Sequence, residues 1–319
     1  MRMPAVETTG GPVDVEELGL TLIHEHFRTT DEAGRFQFPH LYDEEAEWDA
    51  ALADANAVRA HGVRTVVDPG AMFLTRDAVF NGRVAKESGL QVVMATGVYT
   101  YDHLPQFLMS RDEDAIAAIF VHEIEHGIQG TGVKPALIKC AADVPGVTPN
   151  VEKIHRAAAR ASKQTGRPIM AHSHPGSGTG LEQMRIFADE GVDPGTVQIA
   201  HTGDTDDLDY IERLLDTGCL IGLDRYGLDL YLPTEARNAT TLALLERGYA
   251  GRMFLSQDYC STIDWFPREV QAHLKASEVP DWSMTFLFDS VIPELKERGM
   301  SDDDLNQMMV QNPKRWLGS

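Results

Sequence analysis

Eight short apolar runs recur along the chain, each followed by a stretch of helical periodicity. This alternation constrains the fold more than any other feature. The runs span 20–26, 65–68, 91–97, 136–140, 168–173, 197–202, 219–224 and 253–258. Amphipathic stretches lie between them at 43–61, 78–88, 113–126, 151–165, 181–190, 208–217 and 240–248. Glycines such as Gly62, Gly89, Gly127, Gly166, Gly191 and Gly218 stand where those stretches stop, as expected of helix C-termini. Strand–helix alternation repeated this often predicts a parallel (β/α)8 barrel. A doubly wound open sheet would show the same runs and is the alternative architecture. No Pro/Gly/Ser-rich linker divides the chain, so the expectation is an α/β fold, a TIM barrel forming one domain over residues 1–319. After the eighth run, an irregular, aromatic loop over about 259–288 is expected to lie across the barrel mouth, followed by a helical tail.

Composition narrows the possible partners. Hydrophobic residues make up 43% of the 319, enough for a full core. The net charge of −21 argues against nucleic acid and anionic membrane surfaces, which need a basic footprint. Cys140, Cys219 and Cys260 are odd in number and widely spaced, which fits a reducing compartment rather than a disulfide framework. No run approaches a membrane span, and the first residues lack the apolar core of an export signal. The expected location is cytoplasmic.

Polar residues at the ends of these runs carry the chemical signal. His24 and His26 close the first run, and alternation along a strand places both on one side. Taken alone, the pair reads more simply as a polar strand end facing solvent. Four further candidates sit in later runs: Lys139 in the fourth, His172 in the fifth, His201 in the sixth and Asp258 in the eighth. Barrel enzymes place their chemistry at the C-terminal ends of their strands. Imidazole and carboxylate donors suit zinc and its transition-metal neighbours. A lysine in a buried strand is costly when charged and unpaired. Neighbouring cations would push its amine toward the neutral form, which can add carbon dioxide to give a carbamate able to bridge two metals. The alternative for Lys139 is an ion pair with a carboxylate such as Asp143. Two metals about 3.5–4 Å apart would share a hydroxide usable as a nucleophile at neutral pH. Asp258 would shuttle its proton to a leaving oxygen.

This set, His-x-His, a fourth-strand Lys, two later His and an eighth-strand Asp, resembles the binuclear amidohydrolase superfamily. Within it the chain is most similar to the phosphotriesterase family, and closest to the phosphotriesterase-like lactonases. The stretches that carry the likeness are 22–26 (LIHEH), 97–101 (GVYTY), 138–143 (IKCAAD), 201–204 (HTGD), 222–233 (GLDRYGLDLYLP) and 257–265 (QDYCSTIDW). The resemblance implies two divalent metal ions (zinc, iron, cobalt or manganese). His24, His26 and Asp258 would hold the more buried one, and His172 and His201 the more exposed one. Lys139, carboxylated by carbon dioxide, would lie between them. It selects His172 over His174, which shares its strand parity. It implies a homodimer that hydrolyses small-molecule lactones, often N-acyl-homoserine lactones (quorum quenching), with promiscuous cleavage of phosphotriesters. Tyr99 would stand beside the metals, and Arg225 and Trp265 would contact the lactone. The short segment after the seventh run favours a lactonase over a dedicated phosphotriesterase, which remains the alternative. A non-catalytic barrel that binds a small ligand is the alternative of another class.

Other signals point elsewhere. His122-Glu123-Ile124-Glu125-His126 matches the His-Glu-x-x-His pattern of zinc proteases. Gly127 ends the helix at once, and no third ligand follows at the proper spacing. The stripe of Ile116, Phe120 and Ile124 instead marks an outer barrel helix. The glycine-rich stretch 176–180 reads as a loop over the mouth rather than a phosphate cradle. His40, His61, His103, His155 and His273 are expected at the surface or in loops, and Tyr259 in ordinary loop packing. Cys260 is a candidate for the pocket wall.

Overall fold

The computed structural model describes residues 5–74 and 76–319. Eight parallel strands form one sheet: β1 (Thr21–Leu22), β2 (Thr65–Asp68), β3 (Gln91–Gly97), β4 (Leu137–Ala141), β5 (Ile169–His172), β6 (Val197–Ala200), β7 (Leu220–Leu223) and β8 (Met253–Leu255). Each strand after β1 pairs with the one before it. Helices cross back between successive strands: α1 (Glu44–Ala60), α2 (Ala78–Ser88), α3 (Glu113–His126), α4 (Pro149–Thr165), α5 (Thr179–Asp189), α6 (Leu208–Asp216) and α7 (Thr234–Glu246). The barrel closes above β1 and β8, where Glu25–His26 runs parallel to Tyr259–Cys260. The architecture is the (β/α)8 barrel, not the open sheet.

Alternation along the strands sorts the core into two layers. Val67, Val93, Leu137, Met170, Leu220 and Phe254 pack into the barrel interior. Their neighbours Val66, Val92, Ile138, Ile169, Ile221 and Leu255 face the helices. Trp316, from the last helical turn, joins the interior cluster and plugs the end where the strands begin. Its ring lies 5.7 Å from that of Phe254, and its indole N–H donates to Thr196 O. Side chains at the opposite, C-terminal ends of the strands are free to line a mouth.

Several local expectations are corrected. The first run is not one strand. It stops at Leu22 and resumes at Glu25. Ile23 packs in the interior while His24 still lines the mouth, so strict alternation fails at this break. An antiparallel hairpin, Ala5–Thr8 with Gly11–Asp14, precedes the barrel. Helix α7 starts at Thr234 rather than 240, because Asp229 accepts from both the amide and the hydroxyl of Thr234. The loop after β8 contains a helix, α8 (Arg268–Ser277), begun directly after Pro267. The tail is broken: Gly299 adopts a left-handed φ of 116°, and a capping box between Ser301 and Asp304 starts a new helix. The glycine-rich stretch is shorter as a loop than expected, since α5 already begins at Thr179. His155 is fully buried, with Nδ1 donating to Val151 O and Nε2 accepting from Gln183 Nε2. Its helix reads as amphipathic, but the ring lies on the face against α5. No helix of the described residues is long and apolar enough to cross a membrane.

Candidate metal centre and active site

The six strand-end residues meet at the mouth. Lys139 shares the inward parity of Leu137 on β4, and His172 ends β5. His201 follows β6 directly and Asp258 lies beyond the end of β8. Both depart from regular strand geometry, with left-handed φ values of 62° and 50°. Such values in non-glycine residues persist only where the surroundings over-determine them, and they cluster at functional sites. Gly97 is required for a different reason. A Cβ there would sit 1.9 Å from Lys139 O, so only glycine lets β3 lie against β4 at this level.

Three of the histidines are oriented by carboxylates behind them. His24 Nδ1 lies 2.9 Å from Asp224 Oδ2, and His201 Nδ1 lies 3.1 Å from Asp224 Oδ1. His26 Nδ1 lies 2.9 Å from Asp68 Oδ1. With Nδ1 turned back to a carboxylate, each Nε2 points into the centre, the orientation typical of metal-ligating histidine. There the Nε2 atoms of His24 and His26 stand 3.3 and 3.4 Å from Asp258 Oδ1, and that of His201 stands 3.7 Å from Asp258 Oδ2. Lys139 Nζ is 3.2 Å from His24 Nε2. His172 is turned the other way. Its Nε2 meets Asp143 at 2.5 Å, and its Nδ1 lies 3.3 Å from the Tyr99 hydroxyl. Its ring centroid is 4.5 Å from that of His201. His174 is aimed instead at Ser177 Oγ, 2.9 Å away. Asp143 therefore pairs with His172, and among the described residues Lys139 forms no ion pair.

Burial sets the protonation states. Desolvation lowers His24, brings His172 down to about 4 and holds His201 well below its ordinary value, so these rings are neutral donors. Burial also opposes charge on His26, but Asp258 and Asp68 on its two nitrogens outweigh it and raise it to about 9. Desolvation brings Lys139 down to about 8, within reach of the neutral amine at mildly alkaline pH. Burial alone would raise Asp258. The surrounding His24, His201, His26 and Arg225 hold it well below the usual carboxylate range. Desolvation, then the neighbouring Tyr101, pushes the Tyr99 phenol well above 10, so it stays a donor. The ligand atoms of His24, His26 and Asp258 lie close enough together to hold one cation, as do those of His24, His201 and Asp224, and imidazole with carboxylate suits a transition-metal ion.

A cavity of about 580 Å³ opens above this floor. Tyr99, Arg225, Trp265 and Cys260 all line it. Arg225 Nε donates to Asp258 Oδ2 and its Nη1 to Asp204 Oδ2, each at 2.9 Å. Trp265 is 48% exposed, with its ring 6.4 Å from that of Tyr99. Tyr259 turns away toward Trp282, ring to ring at 5.2 Å, with Lys275 donating to its hydroxyl. Sequence reasoning missed Asp68, Asp224, Asp204 and Tyr101. Asp68 ends β2 and Asp224 directly follows β7, both in apolar runs, the same signal that singled out Lys139 and His172. Tyr101 hides in a loop, its hydroxyl 2.7 Å from that of Tyr99. The zinc-protease pattern lies on α3, on the outside of the barrel, with Ile116, Phe120 and Ile124 buried beneath it.

The profile of the phosphotriesterase family matches residues 4–317. An aryldialkylphosphatase of Saccharolobus solfataricus is 46% identical over 99% of this chain and all of its own length. A phosphotriesterase homology protein of Mycobacterium tuberculosis is 40% identical, over 98% of this chain and 97% of its own. The solved structure of the phosphotriesterase from Mycobacterium tuberculosis superimposes with a TM-score of 0.94 at 38% identity, covering 98% of each chain. An eight-stranded barrel whose histidines, lysine and aspartate converge at the mouth, matched along nearly its whole length, makes this chain a member of the phosphotriesterase family of hydrolases.

Proposed function

We propose that this chain is a binuclear metal-dependent lactonase, acting foremost on N-acyl-homoserine lactones and more weakly on organophosphate triesters. The observation that carries the reading is the division of the cavity. Its floor is the donor cluster, and its wall after β7 and β8 is largely apolar, with Leu228, Leu230, Ile263, Trp265, Phe266 and Leu274 beside the polar Gln271, Lys275 and Glu278. A polar reactive ring with one apolar tail matches both parts. The segment 259–288 serves as the cover of the mouth, since Trp265 and α8 contribute to that wall. A dedicated phosphotriesterase is the second reading, favoured by the name of the aryldialkylphosphatase relative.

His24, His26 and Asp258 would hold the more buried ion, and His172 and His201 the other, with the Lys139 carbamate between them. Bound there, divalent ions such as zinc, iron, cobalt or manganese supply Lewis acidity and a water ionised near neutral pH. The protein's own groups do the rest. Tyr99, kept protonated by burial, donates toward the substrate carbonyl oxygen, where negative charge develops. Asp258 takes a proton from the attacking water and returns it to the ring oxygen as the C–O bond breaks. Arg225 holds the Asp258 carboxylate in place and remains tied to Asp204.

One preparation assayed on acyl-homoserine lactones and aryl dialkyl phosphates, with elemental analysis, tests the reading. The expectation is about two ions per chain and a higher kcat/KM for the lactone. A triester preference of more than about tenfold would move the assignment to the second reading. Absence of both metal and turnover would leave only a binding barrel. For the carbamate, Lys139→Ala is expected to lose activity and regain part of it with a short carboxylic acid. Full activity without the acid rejects that bridge.

A further inference from the structure

The joint between β8 and β1 is built unlike the others. Backbone ladders link the strands in order from β1 round to β8. Between the last strand and the first, the short backbone pairing of Glu25–His26 with Tyr259–Cys260 is supplemented by a side chain. Glu25 lies between the two histidines of the first run and is fully buried. Its Oε1 accepts from Ser256 Oγ at 2.8 Å, Gln257 N at 2.9 Å and Gln257 Nε2 at 3.1 Å. Its Oε2 accepts from Tyr259 N at 2.8 Å. The amide between those two, Asp258 N, donates to His24 O at 3.0 Å. Three successive N–H groups, 257 to 259, thus find their acceptors on His24 and Glu25.

The residue enclosed by this clamp is Asp258, whose φ is 50°. A side chain disfavours that conformation, so something must impose it. Glu25 fastens the backbone on both sides of the bend. Gln257 is further pinned by its own side chain, which donates to Met284 O and accepts from Leu287 N. The bend brings Asp258 Oδ1 within 3.4 Å of the Nε2 atoms of both His24 and His26.

We propose that Glu25 is a positioning residue for Asp258: its carboxylate imposes the left-handed bend that seats the aspartate among the histidines. The proposal rests on Asp258 being a metal ligand and proton carrier, as argued above. Glutamine is close in size to glutamate but turns one acceptor oxygen into a donor. In Glu25→Gln an amide N–H on one side of Asp258 then faces another N–H.

The test compares Glu25→Gln with Ser256→Ala in zinc-loaded protein. Ser256→Ala removes the hydroxyl that accepts from His24 N and donates to Glu25 Oε1, but leaves the flanking amides on Glu25. Glu25→Gln is expected to lower lactone kcat at least about tenfold with KM within about twofold, and to speed zinc release to a chromogenic chelator about tenfold. Ser256→Ala is expected to lower the melting temperature with kcat and zinc release near wild type. A Glu25→Gln variant with wild-type kcat and zinc release, merely less stable, overturns the proposal. If Glu25→Gln does not fold, Glu25→Gln/Asp258→Gly decides, because glycine adopts the bend without being forced. Recovery of folded protein supports the imposed bend, and equal failure of the double variant overturns it. Failure of the Asp258 reading itself would appear separately, as normal turnover in Asp258→Asn. Zinc release would then still report on the clamp.

Discussion

Two segments of this chain combine histidine with glutamate, and they end in opposite circumstances. His24-Glu25-His26 lies at the barrel mouth, buried, with carboxylates behind both rings. His122-Glu123-Ile124-Glu125-His126 lies on the outer face of α3. Its two rings are only 4.6 Å apart, yet His126 is 61% exposed. Glu123 is engaged by Arg76 and Thr96. The longer motif is the more suggestive one on paper. What separates them is the scaffold: strand ends inside a barrel strip away water and supply orienting carboxylates, whereas a helix surface leaves imidazoles hydrated and free to rotate. Residue type proposes a ligand, and burial with an aligned partner is what the strand-end histidines have and the helix pair lacks.

The contrast can be attacked where its effect is greatest. Asp258→Asn removes the charge on which three Nε2 atoms converge. Lactone turnover is expected to fall about 10²–10⁴-fold, measured on metal-replete protein. Near-normal rates would end its role as proton carrier. Asp224→Asn acts from behind, through His24 and His201 together. Metal affinity, read by competition with a chelator, is expected to drop about 10–100-fold.

His155 tests burial without the cluster. Desolvation by burial lowers it to about 4 from 6.5. Above pH 6.5 it is neutral in both the folded and unfolded chain and contributes no pH dependence. As pH falls from 6.5 toward 4, the unfolded chain takes up the proton first, so stability is lost on acidification. By pH 5 the loss is about 2 kcal/mol relative to pH 7. Denaturant unfolding at the two pH values should show His155→Gln spared about that amount. Equal acid sensitivity in both proteins would mean that the ring is not held neutral.

The smallest effect is expected at the helix motif. Glu123→Gln should leave lactone hydrolysis unchanged and cost about 1 kcal/mol through its pairing with Arg76. A severe loss of rate would reverse the comparison and reopen the protease reading.

Much of this site was visible before folding was considered. Lys139, His172, His201 and Asp258 stand out because a polar residue in or just after an apolar run violates local expectation. Asp68 and Asp224 met the same criterion, yet nothing in their own runs shows that histidines from other strands stand opposite them. Their importance lies in what stands opposite them. His155 was misplaced because helical periodicity gives the direction of a face but not whether a neighbouring helix covers it. The break at Ile23 and His24 was invisible, since a run of apolar residues gives no sign of where pairing changes partner from β2 to the segment after β8.

The amino-acid order alone determined the eight strand–helix units and the residues available at their ends. Both follow from interactions among near neighbours. Tertiary structure alone decided which nitrogen of each imidazole faces the centre, how the wall closes, and which way Asp258 bends. Those outcomes rest on contacts such as His24 with Asp224, 200 residues apart, and Ser256 with Glu25, 231 apart. No local periodicity records such pairs, because chain closure over that distance is settled only when the whole barrel forms.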